Sequence, residues 1–306
     1  VFMQDHDSMD DLLKKADVAM YQAKAAGRNT ARFFDPVMQA AVATHAELAK
    51  EIRLGLQQQE FVLYYQAQVD TQGRCVGAEA LVRWNHRTRG LVTPGHFISL
   101  AEETGMILPL GQWVLETACA QLVAWGQHPT TAHWTVAVNV SASQLAQAEF
   151  VQHVGQALRQ SGAPAQRLKL EITESMLVND MEDTIAKMSA LKALGVSFSL
   201  DDFGTGYSSL SYLKRLPLSQ LKIDQSFVRD VLTDPNDAVI ARTVVALGHS
   251  LGLIVMAEGE ESAAQRDMLA EMGCDTFQGY FFGRPAPAPT MQADLHADPL
   301  DSATGR

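Results

Sequence analysis

The spacing of apolar and polar residues changes character near Phe61. Upstream, residues 10–26 (DDLLKKADVAMYQAKAA) read as an amphipathic helix, acidic at its start and stopped at Gly27. The ARFF segment from Ala31 to Phe34 predicts a short strand. Asp35 and Pro36 then supply an N-cap and a first-turn proline for a second helix reaching about Gln58. Residues 1–35 are too few to fold alone.

Downstream, strand and helix patterns alternate. Strands are expected in FVLYYQAQV, VGAEALVRW, WTVAVNVS, RLKLEITES, VSFSLDD, QLKID, LIVMAEG and DTFQGYF. Helical spacing fills HFISLAEETG, VLETACAQLVAWG, EFVQHVGQALRQSG, TIAKMSALKALG and AVIARTVVALGHSLG. Eight strands in about 230 residues, mostly separated by helices, predict an α/β fold: a TIM-like (β/α)8 barrel, ahead of a doubly wound sheet. The link around Asp70, Thr71, Gln72 and Gly73 has hairpin length, too short for a parallel crossover. The first strand is therefore expected to run antiparallel to the second. This divides the chain into residues 1–35, a connecting helix at 36–58, a barrel at 59–288 and a tail at 289–306. The stretch after Arg284 and Pro285, rich in Pro and Ala, is expected to fray.

Side chains on a strand alternate between faces. Val136, Val138 and Val140 therefore oppose Ala137, Asn139 and Ser141; Leu168, Leu170 and Ile172 oppose Lys169, Glu171 and Thr173. Val196, Phe198 and Leu200 oppose Ser197, Ser199 and Asp201; Leu221 and Ile223 oppose Lys222 and Asp224. Leu253, Val255 and Ala257 oppose Ile254, Met256 and Glu258, and Glu79 shares a face with Gly77 and Leu81. If the apolar faces meet the helices, Glu79, Asn139, Glu171, Asp201, Asp224 and Glu258 point inward near the C-terminal strand ends, where barrel active sites lie. Asp202 breaks the alternation and has to be turned inward by the loop that begins there.

A lone acid in such a place often caps the next helix. Several converging carboxylates repel one another or stay protonated unless a cation joins them. Oxygen donors without His or Cys favour Mg²⁺ or Mn²⁺. An inward Lys222 beside Asp224 is either a structural ion pair or a group that orients or deprotonates water. Two cations activating a water for attack on a phosphodiester need this inventory. The loop DDFGTGYSSL is neither a P-loop nor GxGxxG. Gly204 and Gly206 would make it a flexible turn, or a lid coupled to metal binding through Asp201 and Asp202.

A net charge of −11 argues against a general DNA or RNA binder, yet it permits a phosphorylated substrate if metal ions carry the local positive charge. Cys75, Cys119 and Cys274 are odd in number and far apart, so a reducing compartment, the cytoplasm, is expected. The nine histidines follow no zinc pattern. No apolar run is expected to reach the roughly 20 residues that span a bilayer, and there is no signal peptide at the start. A chain starting at Val1 reads as an excised fragment, and a membrane anchor would belong to upstream regions of its parent.

Taken together, EALVRW (79–84), PGHFISLAEETGMI (94–107), NVS (139–141), EITES (171–175), DDFGTGYSSL (201–210), LKID (221–224), AEG (257–259) and QGYFFGRP (278–285) resemble the EAL phosphodiesterase family over about residues 45–288. Residues 16–35 resemble the end of a GGDEF diguanylate cyclase domain whose signature is absent, so no cyclase activity is expected. The resemblance implies hydrolysis of cyclic di-GMP to the linear dinucleotide pGpG with two Mg²⁺ or Mn²⁺ ions; the oxygen-only donors also admit Ca²⁺ as an inhibitory competitor. It implies Glu79, Asn139, Glu171 and Asp201 as ligands of one ion, and Asp201 and Asp202, with Asp224 near, as ligands of the second. Lys222 would contact the attacking water, Glu258 help hold the metal site, and Glu174 anchor the DDFGTG loop. Gln66, Leu81, Arg83 and Gln278 fit substrate contacts, and Glu261 is a further acid near the site. A homodimer formed beside the DDFGTG loop is also implied.

Three positions depart from the pattern: Ala67 for proline, Glu260 for an apolar residue and Gly283 for serine. None removes a ligand, although Glu260 adds charge near Glu258. Two other readings compete: a degenerate domain that binds cyclic di-GMP as a receptor, and a scaffold docking partners through its helices. A receptor would tolerate losses among the acids or the lysine, and a scaffold leaves the polar barrel mouth without a purpose.

Overall fold

The computed structural model describes residues 8–25, 31, 33–178, 180–204 and 213–296. Two helices, α1 (Met9–Ala25) and α2 (Pro36–Gln57), come first. The expected strand at ARFF is absent among its described residues, Ala31, Phe33 and Phe34. So short a segment needs a partner edge to become a strand, and the Phe34 ring instead lies 5.7 Å from the Lys15 ammonium. Helix α2 docks through the buried Ile52, which joins Phe61, Trp84 and Phe97 in a small aromatic cluster. Arg89 clamps the same helix by an ion pair to Glu51 at 2.7 Å.

The chain then forms β1 (Phe61–Asp70), β2 (Cys75–His86), β3 (Gly90–Val92), α3 (Ile98–Glu103), α4 (Ile107–Gly126), β4 (Thr135–Asn139), α5 (Ala142–Leu145) and α6 (Phe150–Ser161). It continues with β5 (Leu168–Thr173), α7 (Met181–Ala193), β6 (Ser197–Phe203), β7 (Gln220–Ile223), α8 (Gln225–Arg229) and α9 (Pro235–Ser250). The remaining elements are β8 (Ile254–Glu258), α10 (Ala263–Met272), β9 (Thr276–Gln278) and α11 (Ala288–His296).

The sheet order β1-β9-β8-β7-β6-β5-β4-β2-β3 closes through an added β1–β2 pairing. Eight strands thus form a closed barrel, and β3 hangs on the outer end of β2. As the short link required, β1 is antiparallel to β2, with Gln66 opposite Glu79. It is antiparallel to β9 as well, whereas β2 and β4 to β9 run parallel. Strand β3 was not foreseen, because three residues with a half-exposed Leu91 carry no legible alternation.

The outward strand residues, among them Val136, Leu170, Phe198, Leu221 and Val255, are buried in one continuous core beneath the helices. Two expectations are corrected. Residues 288–296 form α11 rather than a fraying tail, because Ala288 and Met291 are buried and Ala286 pairs with Tyr65 through backbone bonds of 2.7 and 3.0 Å. Helix α4, with 20 residues, is long and apolar enough to cross a membrane by length and composition. Its Val114, Leu115, Ala118, Leu122 and Trp125 are instead packed into the barrel core.

Candidate active site

A cavity of about 320 Å³ opens at the C-terminal ends of the parallel strands. Gln66, Glu79, Leu81, Asp201, Asp202, Lys222, Asp224, Glu258, Glu261 and Gln278 line it, so most of the side chains singled out by alternation meet there. At its base the buried Lys222 Nζ lies 2.7 Å from Glu171 Oε2 and 3.4 Å from Asp201 Oδ2, and it also contacts Glu258 Oε1. The other Glu171 oxygen, Oε1, is buried with no hydrogen-bond partner.

Asp201 keeps the alternation of β6. Asp202 joins it because the pairing of β6 with β7 shifts register between Leu200 and Phe203, and Asp202 adopts a φ of 55°. The turn inward is therefore made within the strand rather than in the following loop. A left-handed non-glycine residue costs about 1–2 kcal/mol, and here it brings two adjacent carboxylates into one cavity. Asp224 both lines the cavity and caps α8, accepting from Ser226 N at 2.9 Å.

Amides fix Glu79. Its Oε1 accepts from Asn139 Nδ2 at 2.5 Å and its Oε2 from Gln278 Nε2. Asn139 itself is exposed and faces a neighbouring cavity of about 280 Å³ with Ile98, Ile107 and Ser141. Glu174 Oε2 accepts from Gly204 N at 3.4 Å, at the base of the 201–210 segment. Gly206 and the rest of that segment lie outside the described residues. Arg83 is not brought to the cavity; it donates to Val82 O at 2.9 Å and sits 5.7 Å from the Tyr64 ring.

Burial dominates the electrostatics. It pushes the Glu171 carboxyl up to about 7, helped by Glu79 and Asp201 and opposed by Lys222. Burial likewise raises Glu258 well above the ordinary carboxylate range against Lys222, with Asp201, Glu79 and Glu171 adding to it. Asp202 rises to about 6 through burial and the neighbouring Asp201 and Asp224. Burial alone would lower Lys222, but Glu171, Glu258, Glu79 and Asp201 outweigh it and hold the ammonium protonated. Lys222 therefore faces an excess of carboxylates, and an orphaned oxygen remains. This oxygen-only donor set fits a hard divalent cation. As the side chains stand, no three acidic, histidine or cysteine groups among the described residues are drawn together tightly enough to hold one; Lys222 stands between them.

Some site residues escaped the sequence reading. Gln225, Gly259, Gly279 and Tyr280 also line the cavity. Tyr280 is half-exposed, with the Arg284 guanidinium 4.1 Å from its ring centroid. Buried Gln68 donates to Gln278 Oε1 at 2.8 Å. Glycines follow strand ends too often to stand out, but Gln68 shares the parity of Gln66 and was legible on that ground. Gly279 is required by close approach: an added Cβ would lie 2.2 Å from Glu260 O and 2.4 Å from Glu260 N. Backbone cannot yield as a side-chain tip does, so Gly279→Ala is expected to cost about 1–3 kcal/mol or more. Its thermal midpoint should fall clearly below that of the parent, and an unchanged midpoint would refute the contact.

The EAL domain family matches residues 49–285. The bifunctional diguanylate cyclase/cyclic di-GMP phosphodiesterase MucR of Pseudomonas aeruginosa is 44% identical over 288 residues, which is 93% of this chain and 42% of MucR. The cyclic di-GMP phosphodiesterase NbdA of the same species is 41% identical over 306 residues, 99% of this chain and 39% of NbdA. The chain thus spans about two-fifths of the length of these relatives. The phosphodiesterase of PaMucR, solved in complex with c-di-GMP, superposes with a TM-score of 0.78 at 45% identity, covering 80% of this chain and 99% of that one. An EAL domain protein from Listeria monocytogenes gives 0.71 at 32% identity, covering 80% and 96%. By its barrel, its cavity and these matches, the chain belongs to the EAL domain family.

Proposed function

We propose that this chain is a divalent-metal-dependent phosphodiesterase that hydrolyses cyclic di-GMP to linear pGpG. The observation that carries the reading is the gathering of Glu79, Asp201, Asp202, Asp224 and Glu258 around one cavity, with Glu171, Asp201 and Glu258 against the Lys222 ammonium at its base. The names of MucR and NbdA supply the substrate class.

In this reading Glu79, Asn139, Glu171 and Asp201 would hold one Mg²⁺ or Mn²⁺ ion. Asp201 and Asp202 would hold the second, with Asp224 near it, and Glu258 would help hold the site. When bound, such ions polarise phosphoryl oxygens and lower the pKa of water. Lys222, held as an ammonium, donates hydrogen bonds and so orients the incoming water rather than taking its proton. Gln66, Leu81 and Gln278 line the cavity and would contact the nucleotide, and Arg83 would do so only by leaving Val82 O and the Tyr64 ring. Glu174 steadies the Asp201–Asp202 segment through Gly204.

The test is turnover of cyclic di-GMP with Mg²⁺ or Mn²⁺, with the products separated by chromatography and with EDTA and Glu79→Ala as controls. Linear pGpG that vanishes in both controls is the expected result. Tight nucleotide binding without product would reject catalysis and make the chain a receptor.

A further inference from the structure

We infer that Gln68 is a positioning residue for the metal site, acting through the orientation of the Gln278 amide. This rests on the reading of Glu79 as a metal ligand. Gln68 does not line the cavity and is only 1% exposed, so neither substrate nor water competes for its amide.

Its place in the hydrogen-bond order defines its role. The backbone oxygen of Gly283 can only accept, and it takes Gln66 Nε2 at 3.1 Å. That leaves Gln66 Oε1 facing Gln278 Nε2 at 3.4 Å. The same Gln278 nitrogen donates to Glu79 Oε2. For this to persist, the Gln278 oxygen must point the other way, where Gln68 Nε2 donates to it at 2.8 Å. A primary amide presents donors on one side and an acceptor on the other. Gln68 therefore supplies the partner that Gln278 Oε1 needs in the one orientation that donates a hydrogen bond to Glu79. Without the Gln68 donor, Gln278 Oε1 is a buried acceptor with no partner, so the side chain gains by swinging towards another donor, which withdraws its Nε2 from Glu79. Groups that orient a ligand in this way typically carry 10–100-fold in metal affinity or activity.

The experiment is Mn²⁺ titration, followed by the free-ion electron paramagnetic resonance signal, on the parent chain, Gln68→Met, Gln278→Met and the double variant. Methionine keeps length and volume without a donor, and Gln68→Leu serves if the methionine variant does not fold. Thermal midpoints in EDTA report folding separately. Gln68→Met is expected to weaken Mn²⁺ binding 10–100-fold. In the Gln278→Met background the same change should have no further effect, since its route is gone. Folded Gln68 variants with parent-like Mn²⁺ affinity, or effects that multiply in the double variant, would overturn the inference alone. A parent chain that binds no Mn²⁺ would overturn it together with the phosphodiesterase reading.

Discussion

Replacing Lys222 with methionine is expected to lower folding stability by about 3–5 kcal/mol near neutral pH, because it breaks a buried ion pair from one side. Glu171, Glu258 and Asp201 would lose the ammonium they share. The size of the loss should depend on pH. Glu171 is raised in the folded barrel to about 7, so the fold favours its neutral form. The stability gained by binding that proton is present below the ordinary carboxylate value and is lost as pH rises through the folded one. Removing Lys222 raises these carboxyls further and steepens that loss, so the gap between variant and parent widens from about pH 5 to pH 7 and narrows again in acid. Urea unfolding with EDTA present, at three pH values, measures this. Equal stability of the two proteins near pH 8 would mean that the lysine does not hold the acids together. The proposed hydrolysis should fall as well, by about 10²–10³-fold, the range for loss of one preorganised hydrogen-bond donor.

The second large effect lies one residue past the AEG motif. Glu260 has no exposed surface, and neither of its carboxylate oxygens makes a hydrogen bond. Burial pushes its carboxyl up to about 8, and the nearby backbone amides of Glu260 and Gln278 offset only part of this. Its charge also helps raise the buried Cys274 thiol, after burial itself, which places the side chain in the interior behind the site. The folded state therefore prefers the neutral acid, and ionisation costs stability progressively as pH climbs from the unfolded value towards 8. Glu260→Leu should stabilise the chain by on the order of 3–4 kcal/mol at pH 8 and by only about 1 kcal/mol at pH 5. Chemical denaturation at the two pH values reads this difference. A leucine variant less stable than the parent at pH 8 would show that the carboxylate is solvated or partnered after all. Glu260 thus acts on stability from the interior of the fold.

Alternation carried most of the site. Glu79, Glu171, Asp201, Lys222 and Glu258 were readable because each sits opposite an apolar neighbour on a regular strand, and a barrel leaves those faces one common destination. Asp202 and Arg83 mark the limit. Alternation puts Asp202 outward, and only a register shift and a left-handed backbone, neither visible in residue type, return it to Asp201. It puts Arg83 inward, but four residues beyond Glu79 the strand has passed the cavity and the guanidinium settles near Tyr64 instead. Tyr280 follows a strand of only three residues, too short for a period to extend to it. Helix α11 (Ala288–His296) was missed because Pro and Ala suggested fraying, whereas the burial of Met291 decides the matter. Composition describes a segment, but packing depends on what it meets.

The antiparallel strand β1 also sets the order in which the molecule can be finished. It closes the ring against β9, so Gln68 and Gln278 meet although 210 positions separate them in the chain. Until β9 is available, β1 and β8 each present an unpaired backbone edge of the sort that invites pairing between chains. Contacts of such long range come late and slow the search for the native state. During synthesis, the glutamine belt around Glu79 cannot assemble before the final strand leaves the ribosome. A chain halted before β9 therefore carries the acids of β2 to β8 without the Gln278 amide that fixes Glu79.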